Sequence, residues 1–146
     1  MNRIAEIKVS YINRSKQTEK ITCSSDAHQL FMTHWDMDII DLQEEFKILL
    51  LNRANKVLGI HNLSKGGVSG TIADAKIIFS VALKCNASAI ILAHNHPSGN
   101  LKPSEQDKRL TKNLFEAGKM LEMAVVDHLI ITSNGYFSFA EDGLIQ

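Results

Sequence analysis

Cysteine is scarce in this chain. Its 146 residues include only Cys23 and Cys85, with no C-x-x-C spacing. That excludes a disulfide framework and a cysteine-based zinc ribbon, and leaves reduced cytosolic thiols as the simplest reading. An excess of charge of one sign is also missing, because 16 basic and 16 acidic residues cancel. Strong nonspecific binding to nucleic acid normally needs a basic surface or stripe. Lys102, Lys108, Arg109 and Lys112 do gather in one stretch, but Glu105, Asp107 and Glu116 interrupt them. A solvated helix face is the expected reading. No apolar run approaches the ~18 residues of a spanning helix. The opening MNRIAEIKVS has no continuous apolar core of a secretion signal. A cytoplasmic protein without membrane contact is expected. There is no repeat, low-complexity stretch or clear linker, so residues 1–146 are expected to form one domain. At 45% apolar and 22% charged residues, the composition is that of a globular protein that folds without cross-links.

What the chain does have is concentrated in HNHPSGNLKPSEQD, from His94 to Asp107. An apolar run, Ala87 to Ala93, leads into it. Residues two apart on a strand project from one side, so His94 and His96 can turn toward a single ion. Two imidazoles and a carboxylate form a catalytic zinc set in which water holds the fourth position. Such an ion lowers the pKa of its water to about 7. Ser104-x-x-Asp107 also reads as the start of a helix, a serine N-cap with an acid three positions on. The two readings are compatible, because a helix N-terminus can present both side chains to an ion.

The spacing His-x-His, seven residues, Ser, two residues, Asp resembles the JAMM (JAB1/MPN/Mov34) metalloprotease motif. ILAHNHPSG, PSEQD, VVDHLIIT and YFSFAEDGL resemble in wording the bacterial RadC-like branch. The likeness runs from about Glu44 to the C-terminus, roughly two-thirds of the chain. It implies an α/β (mixed α+β) fold similar to cytidine deaminases, a curved mixed sheet flanked by helices. It implies Zn²⁺ held by His94, His96 and Asp107. It further implies that Ser104 steadies the bound water or the oxyanion, and that an upstream glutamate is the general base. Glu44 and Glu45 stand side by side. The family pattern favours Glu45, which directly precedes Phe46. The residues alone leave both open, since neighbours on a strand face opposite ways. The implied activity is a metallopeptidase or isopeptidase acting on a protein or peptide substrate. One alternative is a metal-binding scaffold without catalysis, although relatives of that type usually lack some ligands that this chain retains. Another is a DNA-repair accessory. Longer RadC-like proteins carry an N-terminal helix-hairpin-helix segment, for which the roughly 40 residues before Glu45 are too few.

Other chemistries do not fit. HNH nucleases take their name from residues dispersed over a hairpin and helix, and not from a tripeptide. A zinc deaminase would need H-x-E and P-C-x-x-C, and no H-E-x-x-H is present. His28 and His34 fall in an expected helix, and His61 on an expected strand. His128 follows Asp127 and could support the site from behind or be structural.

Periodicity predicts the remaining elements. Ile4–Ile12 alternates as a strand, with Ile21 and Thr22 returning as a second. Ser24, Ser25 and Asp26 are N-cap candidates for a helix to about Trp35, with Leu30, Phe31 and Trp35 inward. Glu45–Asn52 and KVLGIHNL form a hairpin around RAN. SKGGVSG is a glycine-rich loop that lacks the phosphate-loop pattern. The family reading places it near the substrate groove. A helix opens at Thr71 or Asp74 and runs to Lys84, burying Ile77, Ile78, Val81 and Ala82. Ala87–Ala93 is a strand covered on both faces. A helix follows over Ser104–Lys119, with Leu110, Leu114 and Ala117 on one face and Gly118 near its stop. Strands over Val125–Thr132 and Tyr136–Phe139 complete the pattern.

Overall fold

The computed structural model describes residues 3–14, 19–66 and 73–145. Its element order is α1 (Ser24–His34), β1 (Glu45–Leu51), β2 (Val57–Lys65), α2 (Ala75–Lys84), β3 (Ala89–Asn95), α3 (Glu105–Met120), β4 (Ala124–Thr132) and β5 (Gly135–Ser138). The strands form one mixed sheet in the order β2-β1-β3-β4-β5. Only β3 and β4 run parallel, and α3 connects them. The expected mixed α/β architecture is what the chain adopts.

The apolar residues of the strands divide the core in two. Leu49, Leu51, Ile91, Ala93, Leu129 and Ile131 pack against Ala27, Phe31 and Trp35 of the α1 region. Ile48, Leu50, Ile90, Leu92 and Val125 pack against Ile78 and Ala82 of α2 and Leu114 of α3. β1 and β3 are therefore covered on both sides and buried along their whole length.

Val126 breaks the alternation of β4. Ile90 pairs with Val125, but Ile91 pairs with Asp127, so Val126 is an extra residue in the strand. A bulge of this kind re-aims the side chains that follow. Asp127 then faces the α1 side. Its carboxylate accepts from Ser24 Oγ at 2.6 Å, Ser138 Oγ at 2.8 Å and the Ala140 N–H at 3.1 Å. His128 faces the α2/α3 side.

Both helices that feed the parallel strands end alike. After α2 the Ala87 N–H reaches the Ala82 carbonyl, and after α3 the Met123 N–H reaches the Gly118 carbonyl. Asn86 and Glu122 take the left-handed conformation (φ 54° and 56°) that such an ending requires. Gly118 lies near the stop as expected, although Glu122 is the left-handed residue. Gly118 itself lies inside α3, where a Cβ would sit 2.3 Å from the Met123 carbonyl oxygen. Alanine normally favours a helix over glycine. Gly118→Ala should instead lower stability by about 1–3 kcal/mol through overpacking, read by chemical denaturation.

Other expectations shift. Residues 3–14 form no strand, and Ile4, Ile7, Val9 and Ile12 are exposed, so their alternation serves no sheet. Lys20 makes a single bridge to Lys56 in place of a returning strand. Cys23 occupies the N-cap position of α1 without a side-chain capping bond, while Asp26 accepts from the Thr22 N–H and hydroxyl. In α2, Asp74 is the cap and Phe79 is buried, while Ile77 is exposed. Thr71 and positions 67–70 of the glycine-rich loop lie outside the described residues.

Candidate metal centre

The candidate site lies at the carboxyl end of β3, where the chain leaves the sheet to begin α3. Ligand sites of open α/β sheets favour this position. His94 is buried on β3. The turn after the strand, closed by the Gly99 N–H on the His96 carbonyl at 3.0 Å, brings the chain back. Ser104 then opens α3 with a capping box. Its Oγ accepts from the Asp107 N–H at 3.0 Å, and its own N–H donates to Asp107 Oδ2 at 3.0 Å. The helix start expected from the sequence thus also aims Asp107.

Three ligating side chains converge. His94 Nε2 and His96 Nε2 are 3.0 Å apart. Asp107 Oδ1 lies 3.4 Å from the first and Oδ2 3.4 Å from the second. Zinc bonds of about 2.0–2.1 Å in a tetrahedron place neighbouring ligand atoms about 3.3 Å apart. Each contact is therefore near the length that such an ion needs, with a different Asp107 oxygen facing each histidine. His96 Nδ1 is 2.6 Å from the Asn100 carbonyl, which can only accept, so Nδ1 carries the hydrogen and Nε2 is turned to the site. Among the described residues, His94, His96 and Asp107 are the group that could hold a metal ion.

Their electrostatics agree with a cation site. Burial opposes the charge on Asp107, but the His94 and His96 rings and the Ser104 N–H outweigh it and hold the carboxyl far below its ordinary range. Burial likewise opposes a charge on His96, yet Asp107, the Asn100 carbonyl and Glu44 raise its pKa.

The two glutamates part ways. Phe46 stacks on His94 with ring centroids 5.8 Å apart, so its side of β1 is the metal side. Glu45 points to the other side. Its carboxylate is buried 3.6 Å from Lys47 Nζ and 3.3 Å from Lys65 Nζ. Lys47 in turn lies over the Trp35 ring. Glu44 shares the side of Phe46. Burial raises its pKa, while His94 and His96 draw it down and Asp107 adds to the rise. The acid on which the charges of the triad act is therefore Glu44, while the buried Glu45 carboxylate lies with Lys47 and Lys65.

Two further residues build the site. Asn95 is fully buried on the opposite face from His94. It accepts the Glu45 N–H at 2.7 Å and donates to the Ile40 and Gln43 carbonyls at 2.8 and 2.9 Å. It thereby fixes the segment that carries Glu44. His128 is buried behind His94, with its Nε2 2.7 Å from His94 Nδ1. Burial, with His94 beside it, pushes its pKa well below the usual range.

The model of the RadC-like JAB domain matches residues 21–144, nearly the whole described chain. The chain belongs to the RadC-like JAB domain family. It is similar to a UPF0758 protein of Flavobacterium johnsoniae, 45% identical over 86% of this chain and 54% of that protein. A UPF0758 protein of Porphyromonas gingivalis is 53% identical over 70% of this chain and 46% of its own length. One from Salinibacter ruber is 39% identical over 87% and 53%. The chain thus spans about half the length of these relatives. Among the described residues, no helix of this RadC-like domain is long and apolar enough to cross a membrane.

Proposed function

We propose that this RadC-like JAB domain is a zinc-dependent hydrolase of amide or isopeptide bonds in a protein or peptide. The observation that carries this reading is the convergence of His94 Nε2, His96 Nε2 and the Asp107 carboxylate, whose charges act on Glu44. A bound zinc ion would supply a Lewis acid and a water with a pKa near 7. The residues of the chain supply the rest. Glu44 takes a proton from the attacking water onto its carboxylate and returns it to the leaving amine nitrogen. A carboxyl with a burial-raised pKa suits both halves of that exchange. The Ser104 oxygen already accepts the Asp107 N–H, so its own hydroxyl hydrogen is left to donate to the oxyanion. As zinc ligands, His94 and His96 would each offer an unprotonated Nε2.

Phosphate binding finds less support. Of the basic residues around α3, Lys108 is paired with Glu105 at 3.4 Å. The test is a panel of peptides and isopeptide-linked conjugates, offered to the chain with zinc and after chelation. Cleavage that depends on the metal is expected. Stoichiometric zinc with no cleavage anywhere in the panel would leave the scaffold role and remove the hydrolase.

A further inference from the structure

A line of hydrogen bonds runs from His94 back into the protein, and its direction can be followed atom by atom. Thr111 has one hydroxyl hydrogen. Its Oγ1 lies 2.7 Å from the Asp107 carbonyl oxygen, which can only accept. A helical threonine commonly bonds the carbonyl four residues back in this way. Toward His128 Nδ1, 2.6 Å away, Oγ1 must then accept, so Nδ1 carries the ring hydrogen. A neutral imidazole has one N–H. His128 is enclosed, with Phe139 stacked 4.8 Å from its ring and Phe46 5.6 Å away. Its Nε2 is left with a lone pair facing His94 Nδ1 at 2.7 Å. His94 must therefore supply the hydrogen between them, and as a neutral imidazole it then has none on the Nε2 that faces His96 and Asp107.

We propose that Thr111 and His128 are positioning residues that lock His94 in its Nδ1–H tautomer and so turn the unprotonated Nε2 toward the metal. The use made of that atom rests on the hydrolase reading, but the direction of the hydrogen bonds does not. A pair of imidazoles has no preference of its own. Reversed, His128 would donate through Nε2, and the hydrogen of His94 would move to its own Nε2 and occupy the ligand position. The Thr111 hydroxyl, committed to the Asp107 carbonyl, breaks the tie. His96 needs no such line, because the Asn100 carbonyl meets its Nδ1 directly.

The experiment is nitrogen-15 NMR of histidine side chains in the zinc-free chain, together with zinc titration. His94 and His128 should both be protonated at Nδ1. Thr111→Val keeps the shape but removes the hydroxyl. It should move His94 toward the Nε2–H form and weaken zinc binding about 10–100-fold, the usual cost of losing an outer partner of a ligand. Thr111→Ser should restore both. A wild-type spectrum with His94 protonated at Nε2 overturns the proposal, whether or not the variants fold. A folded Thr111→Val protein with wild-type tautomers and zinc affinity overturns it too. If the wild type binds no zinc while its tautomers still follow Thr111, the metal reading falls and this assignment stands.

Discussion

Glu44→Gln should reduce hydrolytic turnover by about 10²–10⁴-fold, the usual contribution of a positioned general base. Zinc content should not change, because Glu44 is not among the three converging ligand residues. Glu45→Gln, one residue along, should behave in the opposite way. Its carboxylate balances Lys47, whose side chain is 5% exposed, and Lys65 on the far side of the sheet. Removing one partner of a buried pair costs up to about 3–5 kcal/mol, so the loss should fall on stability while kcat stays within a few-fold. Side-by-side measurements of turnover on the cleaved panel substrate, zinc by elemental analysis and unfolding by denaturant separate the two. A Glu45→Gln protein that is stable but inactive would return the base to Glu45.

Asp107→Asn should abolish stoichiometric zinc, with a loss larger than the 10–100-fold expected for an outer partner of a ligand. The amide keeps an oxygen to accept the Ser104 N–H, so most of the capping box survives and the metal-free protein should unfold within about 1 kcal/mol of wild type. Elemental analysis and metal-free denaturation read the two effects independently. The pH dependence has a definite sign. Zinc and a proton compete for His96 Nε2, and the pKa of His96 is raised in the metal-free protein. As pH falls, the apparent zinc affinity should therefore begin to drop above the ordinary imidazole value of about 6.5, read by zinc titration at a series of pH values. An Asp107→Asn protein that holds zinc at wild-type affinity would remove the carboxylate from the ligand set.

The sequence makes the centre legible where chemistry is encoded in short spacing. His94, His96, Ser104 and Asp107 lie within one strand end and one helix start, so local geometry alone brings them together. Glu44 is less legible. Which of two adjacent acids faces the metal depends on the phase of β1, and the pairing of Phe46 with His94 fixes that phase. Asn95 sits inside the motif, yet its work is done across the sheet on carbonyls more than 50 residues away in sequence. His128 is invisible to strict alternation, because Val126 changes the phase just ahead of it. Near the N-terminus the converse holds. Ile4 to Ile12 has the pattern of a strand, but β1 pairs with β2 and β3, and the segment stays outside the ladder. Pattern says which face a residue would show, and only tertiary pairing says whether a face exists.

The surplus residue in β4 makes the register of a strand a determinant of chemistry. The dipeptide Asp127-His128 serves two customers on opposite walls: a carboxylate that tethers the first helix and an imidazole that backs a ligand. Were Val126 drawn into a regular ladder opposite Ile91, their destinations would be exchanged. An acid would be pushed in behind His94 and a ring left against Ser24 and Ser138. A slip of pairing that alters no ligand would thus disarm the centre and loosen the helix in one stroke.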